Sequence, residues 1–131
     1  IISSEYDHFL RLATNNKFKC IPGEIIDYRI HHGGLTYEKQ SYAYKDRINT
    51  LKKIIKNDPS LLKKYPKEFN EAFARADYYL SRTFYLKGEI VNARRVIRKH
   101  IFLSKEYLAV YVIFFLPKSI RDYIFKIKYS L

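Results

Sequence analysis

The chain has 131 residues, enough for one domain with a modest core. Hydrophobic residues make up 47%, which excludes an intrinsically disordered chain, and the single cysteine, Cys20, excludes an intrachain disulfide or a cysteine metal cluster. With 25 Lys and Arg against 13 Asp and Glu the net charge is +12. That surplus draws polyanions of several kinds (nucleic acid, anionic lipid, nucleotide phosphates), and a solvated basic face accounts for it equally well.

Methionine is absent throughout, which points to a fragment or a processed product. Ile1-Ile2-Ser3-Ser4-Glu5 has no basic segment and no long apolar core, as a signal peptide requires. Ser3 or Ser4 suits the N-cap of a short helix carrying Phe9, Leu10, Leu12 and Ala13, with acids in its first turn. Asn15-Asn16 end it. Lys17 to Ile21 is expected as a brief strand, with Cys20 a small buried hydrophobe beside it. After the Pro22-Gly23 turn, Glu24 to Ile30 is expected as a second strand, and His31-His32-Gly33-Gly34 as a loop.

The composition changes near Tyr37, and helical periodicity takes over. Thr36 is placed to cap a first long helix through Tyr44, Ile48, Leu51 and Ile55. Asp58-Pro59 starts a short helix, and Pro66 interrupts again. Phe69, Ala72, Phe73, Ala76, Leu80 and Phe84 recur at steps of three and four, Gly88 breaks the run, and Ile90, Ala93, Ile97 and Ile101 continue it. An antiparallel helical hairpin near 69–104 is expected. The spacing of Leu80, Phe84, Gly88, Ala93 and Ile97 resembles one tetratricopeptide repeat, but a solenoid needs at least about three. Tyr107 to Leu116 carries no charge and is too short to span a bilayer, which takes about twenty apolar residues. Pro117 opens an amphipathic terminal helix with Ile120, Tyr123, Ile124 and Ile127 beside Lys118, Arg121, Lys126 and Lys128. Such a helix either lies in an anionic membrane surface or docks on its own domain with a basic outer face.

Candidate chemistry lies in the first 36 residues. Glu5 and Asp7 are carboxylates in a first helical turn, where they stabilise any helix and also have the right chemistry for a general base. The segment Ser4-Glu5-Tyr6-Asp7, with Leu10-Arg11-Leu12 after it, is followed by Tyr28-Arg29-Ile30-His31 and then Gly33-Gly34-Leu35-Thr36. This order resembles the end of the catalytic domain in family 2 glycosyltransferases: an acidic motif opening a helix, then a Y-R-x-H strand, then a small-residue loop. The sequence departs from that pattern at Ser4, where the family has its first acid, and at Glu5, where it has an aspartate.

The resemblance implies a short helix and two strands closing an α/β GT-A domain over 1–36; with the helical periodicity that follows, this makes a mainly α chain with an all-helical tail over 37–131 and amphipathic terminal helices over 105–130. It implies Glu5 as base, with Asp7 orienting the acceptor or steadying the helix start. Arg29 is then a phosphate or loop-positioning group, and His31 stands near the metal or diphosphate. Arg11 is a substrate- or phosphate-binding group or, by its spacing, a partner of the neighbouring carboxylates. Magnesium or manganese, a nucleotide sugar and a glycan acceptor belong to the complete enzyme, with none of these cofactors expected for this segment alone. The expected location is cytoplasmic and peripheral on the inner face of the membrane, through 105–131. The competing reading is a small basic helical module for a protein or nucleic-acid partner, nucleic acid being the less favoured of the two.

Overall fold

A computed structural model describes residues 4–23, 27 and 40–130. Among them every regular element is helical: α1 (Ser4–Asn15), α2 (Gln40–Asn57), α3 (Ser60–Lys64), α4 (Pro66–Leu86), α5 (Ile90–Ile97) with a 3-10 turn at Arg98–His100, α6 (Lys105–Ile113) and α7 (Lys118–Ser130). The chain is mainly α. No helix among the described residues is long and apolar enough to cross a membrane.

Lys17 to Ile21, expected as a strand, has no regular structure. A strand exists through its ladder of hydrogen bonds, and no described segment pairs with this one. Without a ladder the segment stays exposed, and Cys20, expected to be buried, is an exposed thiol. The expected second strand falls outside the described residues except for Asp27, as do Thr36 and the His31 to Gly34 loop.

The helices form two compact units, Ile1–Tyr79 and Leu80–Leu131. In the first, α1 packs on α2. Leu51 and Ile54, three apart on α2, are buried there, as are Ala74 and Ala76 of α4. Burying each of the larger side chains contributes about 1.5–3 kcal/mol. Asp58 organises the joint after α2: its carboxylate accepts from the Ser60 amide (3.0 Å) and hydroxyl (2.6 Å), which starts α3. Pro66 stands at the first position of α4, where a missing N–H costs nothing.

The second unit begins within α4. Its turn is set by Gly88, whose φ of 80° lies in the left-handed region. The Gly88 amide donates to the Tyr85 carbonyl and the Glu89 amide to the Phe84 carbonyl, both at 2.9 Å. This pair of bonds satisfies carbonyls that a helix end leaves open and reverses the chain into α5. Small residues bring the two helices together: the fully buried Ser81 hydroxyl donates to the Ala93 carbonyl at 3.0 Å. Ile97, Val110 and Phe114 complete this core. Ser104 caps α6, its hydroxyl accepting from the Tyr107 amide. Phe125 of α7 lies on the Tyr85 and Phe114 rings, with centroids 4.8 and 6.1 Å away. Beside them the Tyr85 hydroxyl donates to Asp122, and Arg121 Nη1 donates to the Leu116 carbonyl at 2.8 Å. One side of α7 is therefore docked on its own unit.

The Tyr85–Asp122 bond shifts both groups. Burial first, then the Asp122 hydrogen bond and charge, push the Tyr85 phenol up to about 12. The Tyr85 hydrogen bond holds the Asp122 carboxyl below its ordinary range, with Lys118 adding to the effect and burial opposing it.

Candidate functional site

The acids of α1 leave the helix in different directions. With 3.6 residues per turn, side chains two apart point to nearly opposite sides. Glu5 is exposed, whereas Asp7 is only 9% exposed and faces α2. Arg11, one turn on, brings its Nε to 3.0 Å from Asp7 Oδ2. From α2, Lys53 Nζ stands 3.7 Å from Oδ1, and the Thr50 hydroxyl donates to the same oxygen at 3.3 Å. Thr50 and Lys53 are three apart and share a helix face. Both oxygens of Asp7 are thus engaged, and the cluster ties α1 to α2. Glu5 and Asp7 do not converge on one point.

Beside Asp7 runs a groove of about 390 Å³, lined by α2 residues Asp46, Asn49, Lys52 and Lys56 along with Asp7, Thr50 and Lys53. A second groove, about 260 Å³, is mostly apolar and includes Leu10, Leu51, Ile54 and Phe69. Between Tyr6 and Tyr79 the Arg47 guanidinium is stacked, its carbon 4.8 Å from each ring centroid, while its buried Nε makes no hydrogen bond. Burial raises the Tyr6 phenol above its ordinary value, and the positive charges of Arg47 and Arg75 oppose that.

A third cluster lies in the second unit. Arg94, Arg95 and Arg98 of α5 and its 3-10 turn line a groove of about 230 Å³ with Tyr111 and Phe115. The Arg94 guanidinium sits 4.5 Å above the Phe115 ring.

Of the residues singled out in the sequence, Asp7 and Arg11 come together, and Glu5 stands apart from them. Arg29 and His31 lie outside the described residues. Among those described, no three His, Cys, Asp or Glu side chains gather as a metal site. Asp7 is a poor metal ligand, since two cations already occupy its oxygens. Sequence reasoning missed Thr50 and Lys53, which stand far from Asp7 in the chain. It missed the Arg47 stack for the same reason. The arginine cluster did carry a signal, because Arg94, Arg95 and Arg98 recur at helical spacing. No protein-family model, no curated protein and no solved structure matches the chain.

Proposed function

We propose that this chain is the acceptor-side end of an inverting family 2 glycosyltransferase, which moves a sugar from a nucleotide-sugar donor to a glycan or lipid-linked acceptor. The observation that carries the reading is Tyr28-Arg29-Ile30-His31, followed by Gly33-Gly34-Leu35-Thr36 and preceded by an acidic helix start. On this reading residues 1–36 close the α/β domain, with Glu24 to Ile30 as its strand, and 37–131 form the tail.

Glu5 is the residue best suited to take a proton. It is exposed in the first turn of α1, so an acceptor hydroxyl can reach its carboxylate. Asp7 serves instead as a positioning residue: held by Arg11, Lys53 and Thr50, it fixes the start of α1 and with it the base. Arg29 is assigned to donor phosphate or loop positioning and His31 to the diphosphate end. A divalent metal in the complete enzyme would offset the charge of the departing diphosphate. The described residues do not gather ligands for it. A cytoplasmic, membrane-peripheral location through 105–131 belongs to the same reading.

The test is Glu5→Gln in the complete enzyme. The expected result is transfer reduced by about 10²-fold or more with the fold intact. Near-normal transfer would overturn the assignment of Glu5.

A second reading, a basic helical binding module, is favoured by one observation: the Arg94, Arg95 and Arg98 cluster. Any chain this basic binds polyanions weakly at low salt, so tight polyanion binding that persists at high salt is its expected sign.

A further inference from the structure

Helix α6 has an unusual outer face. Tyr107, Val110 and Phe114 point inward and are buried. The opposite side of a helix on a water-soluble surface is ordinarily polar. Here it carries Leu108 and Val112, continued by Phe115 in the turn after the helix, with 46, 53 and 58% of their surface exposed. Phe102, in the turn before α6, is 97% exposed. No charge occurs between Tyr107 and Leu116 to interrupt this strip.

Alongside it runs the arginine row of α5. Arg94, Arg95 and Arg98 share a groove with Phe115 and Tyr111, so the basic and apolar strips are neighbours on one surface of the same unit. Arg94 stacks on Phe115 and joins them. In the segment Leu80 to Leu131 the acids are Glu89, Glu106 and Asp122. Asp122 is already held by Tyr85 and Lys118.

We propose that this α5–α6 surface binds an anionic lipid bilayer at its interface, with Leu108, Val112 and Phe115 in the acyl boundary and the arginines at the phosphates. Charge complementarity selects an anionic partner, and the apolar strip selects a bilayer over a nucleic acid. A duplex or a polyphosphate offers nothing for exposed Leu108 and Val112 to enter, whereas a bilayer receives apolar side chains just below a layer of phosphates. Arginine suits that level, since its guanidinium is weakly hydrated and pairs with phosphate oxygens two at a time. Helix α6 is too short to span the bilayer, so it lies in the plane.

This deepens the membrane-peripheral part of the reading above and rests on that part alone, not on sugar transfer. It places the contact on α5 and α6 rather than on α7, one side of which is docked on Tyr85 and Phe114.

The test uses the full chain with no sugar nucleotide present, so its outcome is separate from transfer. The chain has no tryptophan. Leu108→Trp therefore gives a single reporter on the proposed surface. Its emission is expected to shift to the blue with phosphatidylglycerol–phosphatidylcholine vesicles and not with phosphatidylcholine alone. By co-sedimentation, Arg95→Gln with Arg98→Gln should weaken binding roughly fivefold for each arginine removed. Leu108→Ser with Val112→Ser should abolish the co-sedimentation that remains at high salt, and Val112→Ser in the Leu108→Trp chain should reduce the blue shift. These side chains are exposed, and circular dichroism of each variant checks that the helices persist. Absence of native binding to the anionic vesicles overturns the proposal. So does loss of binding in Lys118→Gln with Tyr123→Ser while the α5–α6 variants bind normally. Binding that ignores Leu108→Ser and Val112→Ser but is displaced by RNA overturns it in favour of a nucleic-acid surface.

Discussion

Asp7→Asn keeps the size of the side chain at the α1–α2 contact and removes its charge. The native carboxylate is 13% accessible, while Arg11 and Lys53 are 57 and 59% accessible, so each ion pair is partly screened. Such pairs contribute about 0.2–1 kcal/mol each. A hydrogen bond to a charged group contributes about 1.5–3 kcal/mol, and at 3.3 Å the Thr50 bond belongs at the lower end. The Asn amide retains one acceptor for Thr50, and both cations can turn to water. The net loss is therefore about 1–2 kcal/mol. With a urea slope of roughly 2 kcal/mol per molar, the unfolding midpoint of the first unit falls by roughly 0.5–1 M. Tyr6 of α1 lies on Arg47 of α2, so tyrosine fluorescence and helical dichroism should report the transition together. A double-mutant cycle of Asp7→Asn with Lys53→Met isolates the pair, with an expected coupling of about 0.5 kcal/mol that shrinks in high salt. A midpoint unchanged by Asp7→Asn, or a cycle with no coupling, would refute the view that this carboxylate joins two helices.

Tyr85→Phe removes the main cause of the low Asp122 carboxyl, so that carboxyl should rise toward its ordinary value in an NMR titration. The sign follows from linkage. A carboxyl lowered by folding adds stability above its unfolded value of about 4, and this is lost as pH falls through the lower folded value. The variant should lose less stability in acid over that window. At the alkaline end, Tyr85 is raised by folding, so its contribution is full below about 10 and is lost as pH climbs to about 12. Phenolate absorbance should show one fewer late-titrating tyrosine in Tyr85→Phe than in the native chain, with Tyr6 raised in both. Gly88→Ala places a β-carbon at φ 80° and should cost about 1–2 kcal/mol by denaturant unfolding, although nothing stands within 4 Å of the new atom. Ser81→Leu forces a large side chain between α4 and α5 and should cost at least about 1–3 kcal/mol, detected as a lower midpoint for the second unit.

Local features were legible in the sequence. The steps of three and four from Phe69 to Phe84 all fall within α4, because a helix repeats its faces on that period. Gly88 was legible as a break, since only glycine takes its backbone angle without strain. Pro66 read as an interruption because proline both ends one helix and opens another, and here it opens α4. Lys17 to Ile21 misled because a short mixed run contains nothing that distinguishes a strand from an exposed connection. The information lies in a partner segment, which the run itself does not encode. At the site, Arg11 was legible as a partner of Asp7 from its one-turn spacing, and Lys53 was not. The same limit hid the Arg94–Phe115 stack. Each half obeys a local period, but nothing in either period says that the two helices lie side by side.

The exposed thiol of Cys20 gives the chain a built-in handle. As the sole cysteine, it accepts one maleimide dye or spin label without any substitution. Phe18 nearby meets Phe9 of α1 edge-on, with centroids 6.5 Å apart, so a label there should register fraying at the end of α1. Under oxidising conditions the only disulfide such a chain can form with itself joins two copies at residue 20. A chain kept without reductant is therefore expected to accumulate a covalent dimer, visible on a non-reducing gel and absent from Cys20→Ser.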